Sequence, residues 1–228
     1  MIPARWGSSR VPGKALADIG GVPLVERVRT RALAARRVDE VVVATDDARI
    51  AAVVGEHGGR ALLTEPAASG THRVAAVLDE IDADWLLNVQ CDQPGLDPDH
   101  VDAVVDLLHA GAEIATIAAP LRDAVAADPS VVKVVWDAAG DALYFSRAPI
   151  PHGGPFWRHV GVYGFTRAAL AQCAAAPSSA LRRAEDLEKL AWLAAGLPIR
   201  VGRVDHAEAA LDTPSHLRSW TAHPPRIP

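Results

Sequence analysis

The stretch EVVVATDDARIAAVVGEHG, residues 40–58, decides the reading of the fold. Its first part, EVVVAT (40–45), is a short apolar run of the kind that forms a strand buried on both faces. Its second part, DARIAAVVGEHG (47–58), has the length of a helix. The same couplet recurs along the chain. DWLLNVQ (84–90), EIATIAAP (113–120) and VVKVVWD (131–137) read as further strands, and PLVERVRTRALAAR (23–36), THRVAAVLDEID (71–82) and PDHVDAVVDLLHAG (98–111) as further helices. Such alternation predicts an α/β fold with a mostly parallel sheet covered by helices on both faces. After about residue 140 the pattern changes to short strands and loops, with HVGVYGF (159–165), a helix near 180–195 and PIRVGRV (198–204). We read a single domain over 1–228, in which about 140–197 form an insertion lobe before the chain returns to the main sheet.

A length of 228 residues is enough to bury a sizeable core, and a net charge of −5 argues against a nucleic-acid surface. No apolar run approaches the roughly 20 residues of a membrane span. Cys91 and Cys173 stand far apart and offer neither a disulfide framework nor a zinc pattern, which fits a reducing compartment. The expectation is a cytoplasmic protein acting on a small molecule.

IPARWGSSRVPGK (2–14) interleaves Arg5, Arg10 and Lys14 with Gly7, Ser8, Ser9 and Gly13. Glycine frees backbone amides, a helix is expected to start near residue 23, and the cations add formal charge, so the loop suits a polyphosphate. Neither G-x-x-x-x-G-K-[ST] nor G-x-G-x-x-G is present, which disfavours an ATPase P-loop and a dinucleotide site. A buried strand normally feeds such a loop, yet only Met1 and Ile2 precede Pro3. The natural start is therefore expected several residues upstream. Mass spectrometry finding Met1 at the native terminus would remove that expectation.

In NVQCDQP (88–94), Gln90, Cys91 and Asp92 follow a buried strand, which puts Asp92 at the carboxyl edge where open α/β sheets bind ligands. An aspartate there either holds Mg²⁺ or caps the next turn. LDTP (211–214) offers a second carboxylate, Asp212, in what is also a good helix N-cap sequence. Alternation in HVGVYGF puts Val160 and Val162 toward a core and His159, Gly161 and Tyr163 on the other face. There the two polar rings either flank a ligand or simply bond each other. SALRRAEDLEKLAWL (179–193) carries Leu181, Ala184, Leu187, Leu190 and Ala191 on one stripe of an amphipathic helix, where Arg182 and Asp186 are spaced to pair.

IPARWGSSRVPGK, VVVATDD, SGTHR, NVQCDQP, VKVVWD, ALYFSRAPIP, HVGVYGF, DLEKL and LDTP stand in the order found in the CMP-KDO synthetase (3-deoxy-manno-octulosonate cytidylyltransferase) family, which the chain resembles over essentially its whole length. The resemblance implies a nucleotide-diphospho-sugar transferase-like (Rossmann-like) fold, usually a homodimer paired through the later lobe. It implies transfer of CMP from CTP to an acidic sugar, with release of pyrophosphate and a requirement for Mg²⁺. By the same resemblance Arg10 and Lys14, with Arg5 beside them, take the triphosphate, and Asp92 and Asp212 the metal. Ser69, Gly70, Thr71 and Arg73 fall in the cytidine pocket, and His159 and Tyr163, with Gln90 nearby, in the acid-sugar pocket. Arg10, Lys14 and Asp92 are the residues expected to support catalysis.

The departures from the family's pattern cluster. NVQGDEP becomes NVQCDQP, with Cys91 and Gln93; the acid of SGT-acid-Arg becomes His72; and Pro-Leu-Glu becomes Ala180, Leu181 and Arg182, followed by Arg183, while Glu185 and Glu188 match. These changes add positive charge on the acceptor side, where Arg182, Arg183 and Glu185 are taken as further ligands. A second acceptor class follows from them, a small phosphonate or similar anion, because guanidinium pairs bidentately with phosphonate oxygens. A nucleotide-binding module without catalysis is a third reading, disfavoured because binding alone does not need Lys14, Asp92 and Asp212 together.

Overall fold

The structure is a computed structural model that describes residues 1–7, 12–208, 210–211, 217–218 and 220. In chain order its principal elements are β1 (Ile2–Ala4), α1 (Leu24–Leu33), β2 (Val42–Thr45), α2 (Ala48–Glu56), β3 (Arg60–Leu63), α3 (Gly70–Ala75), β4 (Trp85–Val89) and α4 (Pro98–His109). They continue with β5 (Ile114–Leu121), β6 (Lys133–Trp136), β7 (Ala142–Ser146), β8 (Phe156–Thr166), α5 (Arg167–Ala175), α6 (Ala180–Glu185), α7 (Lys189–Ala194) and β9 (Arg200–Arg203). The chain divides into two compact units, the first formed by 1–82, 88–102 and 208–228 and the second by 83–87 and 103–207.

In the first unit β1, β2 and β3 form a parallel sheet, with Ile2 opposite Val43 and Val43 opposite Ala61. All four residues of β2 are buried, as an apolar run enclosed on both faces should be. β1 exists despite its brevity, running through Pro3, and the Met1 carbonyl accepts from the Val89 amide at 3.0 Å. α2 starts where Asp47 accepts from the Arg49 amide, and it buries Ile50 and Val54, four residues apart. The helix expected over 71–82 is shorter: α3 stops at Ala75 and a 3-10 turn, Leu78–Glu80, follows. Asp79, Glu80 and Asp82 would crowd the negative end of a longer helix.

In the second unit the sheet order is β7-β6-β8-β5-β9, with β4 also pairing β8. β9 runs parallel to β5, whereas β8 is antiparallel to β5 and β6. Cys173, Trp192, Phe165 and Leu170 belong to its buried core.

Two sequence expectations fail here. The segment 179–193 is two helices, because Asp186 adopts a left-handed conformation at φ 51°. Arg147 takes the carbonyls of that corner, with Nε donating to Glu185 O at 2.9 Å and Nη2 to Asp186 O at 3.4 Å, and aspartate tolerates the left-handed region. Leu181 and Ala184 are consequently exposed, while Leu187, Leu190 and Ala191 are buried. In β8 the valines do not monopolise the core: His159 and Tyr163 are buried as fully as Val160. The ladder to β5 slips between Thr116, opposite Tyr163, and Ile117, opposite Val160, so Gly161 and Val162 bulge out of register. The Thr116 hydroxyl closes the bulge by donating to the Val162 carbonyl at 2.8 Å.

Candidate active site

Within the first unit, the strands deliver their chemistry at their carboxyl ends. Arg5 follows β1 and is exposed, Asp46 follows β2, and Gln90, Cys91 and Asp92 follow β4. Gly13, at φ 70°, turns the chain so that Lys14 opens a 3-10 turn. The Lys14 ammonium donates to Asp92 Oδ2 at 3.1 Å and to the Leu211 carbonyl at 2.5 Å, and the Leu211 amide donates to the Asp92 carbonyl at 2.7 Å. Three segments distant in sequence therefore meet at one cation. Two hard oxygen donors converge there, the type of donor set that Mg²⁺ prefers. Asp212 follows Leu211 in the chain but, like Arg10, lies outside the described residues.

Ser69 caps α3 by accepting from the His72 amide at 3.2 Å, and its Oγ lies 2.7 Å from His72 Nδ1. The histidine thus occupies the position of the acid in a capping box. Gly70 sits close to β1 and β4, since a Cβ there would lie 3.1 Å from Pro3 Cγ and 3.6 Å from Gln90 Nε2. Gln90 donates in turn to Asn88 Oδ1 at 3.1 Å. Thr71 is buried, and so is Arg73, whose guanidinium donates to Asp46 Oδ2 at 2.7 Å and to Thr64 Oγ1 at 2.5 Å. Arg73 therefore ties α3 to the ends of β2 and β3, a fixing contact that local sequence gave no means of reading. Burial and the neighbouring Asp92 charge push the Cys91 thiol up to about 12, leaving it a neutral packing group at neutral pH.

Within the second unit, His159 and Tyr163 come together with ring centroids 5.1 Å apart, and His159 Nε2 lies 3.1 Å from Thr116 Oγ1. Burial, with Lys189 and Arg158 adding repulsion, holds the imidazole well below its ordinary value, so it is neutral. The buried Tyr163 hydroxyl has no hydrogen-bond partner among the described residues. Glu185 is committed: one carboxylate oxygen accepts from Ser146 Oγ at 2.6 Å and the other from the Arg147 amide at 2.8 Å. Arg182 is half-buried at its own helix start, and Arg183 is exposed and reaches the Ser178 carbonyl at 3.3 Å.

Lys189 is the residue that the sequence reading missed. Its ammonium lies 5.9 Å from the Tyr163 ring centroid and 5.6 Å from that of Phe145. It sits inside DLEKL, where the spacing from Glu185 and Glu188 drew attention to the acids only. Burial and the Arg147 charge bring its ammonium down to about 8, with Glu188 opposing them. The folded chain therefore binds fewer protons here than the unfolded chain between about pH 8 and the ordinary lysine value of about 10.5. The resulting destabilisation is fully present below pH 8 and fades as pH rises through that window. Urea unfolding of the wild-type chain and Lys189→Met at pH 7 and pH 10 should show the gap between them changing in the wild type's favour at pH 10, by on the order of 2 kcal/mol. An equal gap at both values would refute the assignment.

These carboxyl-edge cations and carboxylates define a nucleotidyl-transferring class: the family model described as cytidylyltransferase matches residues 1–199. A 3-deoxy-manno-octulosonate cytidylyltransferase of Anaeromyxobacter sp. (strain Fw109-5) is 46% identical over 225 residues, covering 95% of this chain and 92% of the relative. The Escherichia coli protein of the same name is 40% identical over 230 residues, covering 97% and 94%. A solved structure of CMP:2-keto-3-deoxy-manno-octonic acid synthetase complexed with CTP superposes with a TM-score of 0.92 at 40% identity, covering 97% of this chain and 95% of that one. The chain belongs to the 3-deoxy-manno-octulosonate cytidylyltransferase family. A 4-diphosphocytidyl-2C-methyl-D-erythritol synthase of Anaerococcus prevotii, at TM-score 0.65 and 12% identity, shares the fold.

Proposed function

We propose that the protein transfers CMP from CTP to 3-deoxy-manno-octulosonate and releases pyrophosphate. The observation that carries this reading is the Lys14 ammonium delivered by a glycine-hinged loop to Asp92 and the Leu211 carbonyl, in a chain 40% identical to a synthetase whose solved structure holds CTP. Relatives bearing the octulosonate name at 40–47% identity favour that acid over a phosphonate. Full-length similarity to named transferases, together with retention of Lys14 and Asp92, likewise disfavours a module that only binds nucleotide.

In this reading Arg5, Arg10 and Lys14 bind the triphosphate, and Ser69, Gly70 and Thr71 the cytidine, with Gln90 at their edge and Arg73 bracing α3 from below. An acceptor hydroxyl attacks the α-phosphorus in line; the bond to the pyrophosphate oxygen breaks, and Lys14 offsets charge on the departing group. No protein nucleophile is used. Asp92, with Asp212, would hold Mg²⁺, which supplies charge neutralisation on the phosphates and acidification of a coordinated hydroxyl. Neutral His159, Tyr163 and Lys189 serve as acceptor ligands, the unpartnered Tyr163 hydroxyl and the ammonium both suiting a carboxylate or sugar hydroxyl. Arg182 and Arg183 add positive charge at the exposed start of α6. Glu185 holds the Ser146 hydroxyl and the Arg147 amide.

Among the described residues no helix is long and apolar enough to cross a membrane. A cytoplasmic location agrees with a nucleotide substrate and with two free cysteines. Homodimer formation fits Leu143, on the edge strand β7, and Leu181, both large apolar side chains left exposed. The deciding experiment measures pyrophosphate release from CTP and Mg²⁺ with 3-deoxy-manno-octulosonate and with hydroxyalkyl phosphonates. Turnover confined to the octulosonate is expected, and turnover only with a phosphonate would sink the assignment. Sedimentation of the same preparation should show twice the 24.0 kDa chain mass; a 24.0 kDa species alone would remove the dimer.

A further inference from the structure

The base of the phosphate loop carries a contact set that the transfer reaction does not itself require. The Trp6 carbonyl accepts from the Gly13 amide at 3.0 Å, so these two residues are tied together. Its indole lies against Gly13: a Cβ at that position would be 3.1 Å from Trp6 Cη2 and 3.3 Å from Cζ2. Over the same ring, 3.5 Å from its centroid, lies the guanidinium of Arg49. That guanidinium is itself pinned, with Nε donating to Asp47 Oδ1 at 2.9 Å and Nη2 to Asp47 Oδ2 at 2.6 Å. Asp47 in turn caps α2. Its carboxyl is held down at about 2, first by the Arg49 side chain, so the pair stays ionised throughout the physiological range.

We infer that Trp6, seated against Gly13 and held under the Asp47-anchored Arg49, is a positioning residue that fixes the Gly13 hinge and so aims Lys14. Planar guanidinium on indole is a directional contact that lysine would not reproduce, and its anchor is the N-terminus of a packed helix. Gly13 is the hinge: its left-handed φ and the ring against it fix the step at which Lys14 leaves the loop. A hinge already fixed before CTP arrives leaves less conformational freedom to lose on binding, so the clamp acts on affinity rather than on the chemical step. Arg49 acts through Trp6 as a positioning residue, with its Nε and Nη2 donors held by Asp47.

The inference rests on the reading that this loop binds CTP, and the test separates the two. Calorimetric titration of CTP in the presence of Mg²⁺, with steady-state kinetics, is run on Trp6→Ala, Trp6→Phe, Arg49→Met and Lys14→Met. Trp6→Ala and Arg49→Met should each raise the Kd and KM for CTP about tenfold with kcat changed less than about threefold, and Trp6→Phe should stay within about threefold of wild type. Wild-type affinity in Trp6→Ala and Arg49→Met beside a weakened Lys14→Met overturns the clamp and leaves the CTP reading standing. Wild-type affinity in Lys14→Met removes that reading and the clamp with it. A Trp6→Phe as weak as Trp6→Ala rejects the aromatic contact. If Trp6→Ala does not fold, Arg49→Met decides, because Arg49 is exposed and the cap by Asp47 survives its loss.

Discussion

Lys14→Met lowers kcat/KM for CTP by about 10²–10³-fold, the usual cost of deleting one preorganised charge that meets the developing charge of a transition state. Lys14 is the one described cation that reaches both Asp92 and the segment leading to residue 212, so its removal deprives the triphosphate of a fixed counter-charge. Lys14 also ties the fold together locally: its side chain is only 15% exposed and that of Asp92 27%, and its loss takes a donor from Asp92 Oδ2 and from the Leu211 carbonyl. That costs about 1–2 kcal/mol, so the unfolding midpoint should fall by about 2–6 °C while the protein still folds. Pyrophosphate release under saturating acceptor is the measurement. Activity within threefold of wild type would show that the loop serves something other than phosphate.

Lys133→Met has the largest expected effect on stability. Lys133 is fully buried on β6, and its ammonium donates to three carbonyls, Asp128 at 3.1 Å, Val131 at 2.7 Å and Arg147 at 2.5 Å. Methionine fills the stem but breaks three charge-assisted hydrogen bonds to part-buried carbonyls, each contributing about 1.5–3 kcal/mol. Burial lowers the lysine's own proton affinity, which means that part of this cost is offset by no longer burying a charge. A net loss of about 3 kcal/mol remains, or a fall of about 6–12 °C in the unfolding midpoint for a chain of this size. The consequence spreads, because Arg147 also binds the carbonyls of Pro129, Glu185 and Asp186 and so fixes the corner between α6 and α7. Scanning calorimetry that finds the midpoint unchanged would contradict this account.

Much of the architecture was legible because it is written in local pattern. EVVVAT and DWLLNVQ became β2 and β4 nearly as delimited, and PDHVDAVVDLLHAG became α4, because an apolar run or a helical stripe reports its own burial. Lys14 and Asp92 were legible for a different reason: they sit in short loops after strands, where packing does not explain their residue types. Lys189 was not, nor was the tie that Arg73 makes to Asp46 and Thr64, since a buried guanidinium and an ammonium near aromatic rings look like surface charges in a helix pattern until the chain folds around them. The same holds for β8. Its alternation forecast that His159 and Tyr163 share a side, and they do, but it carried no information about the cover that buries that side or about the slip opposite Thr116.

The sequence by itself determined the alternating elements, the cation-bearing loop with its glycine hinge, and the family. Only tertiary structure decided that the Lys14 ammonium meets an aspartate and a carbonyl from segments far along the chain. It alone split 179–193 at Asp186, committed Glu185 to Ser146 and Arg147, and set Arg49 over Trp6. The physical reason is common to all of these. Periodicity encodes which face of an element is buried, whereas the partner of a polar group is chosen by whatever backbone or charge the fold brings within about 3 Å, and a buried donor or acceptor left without one is costly.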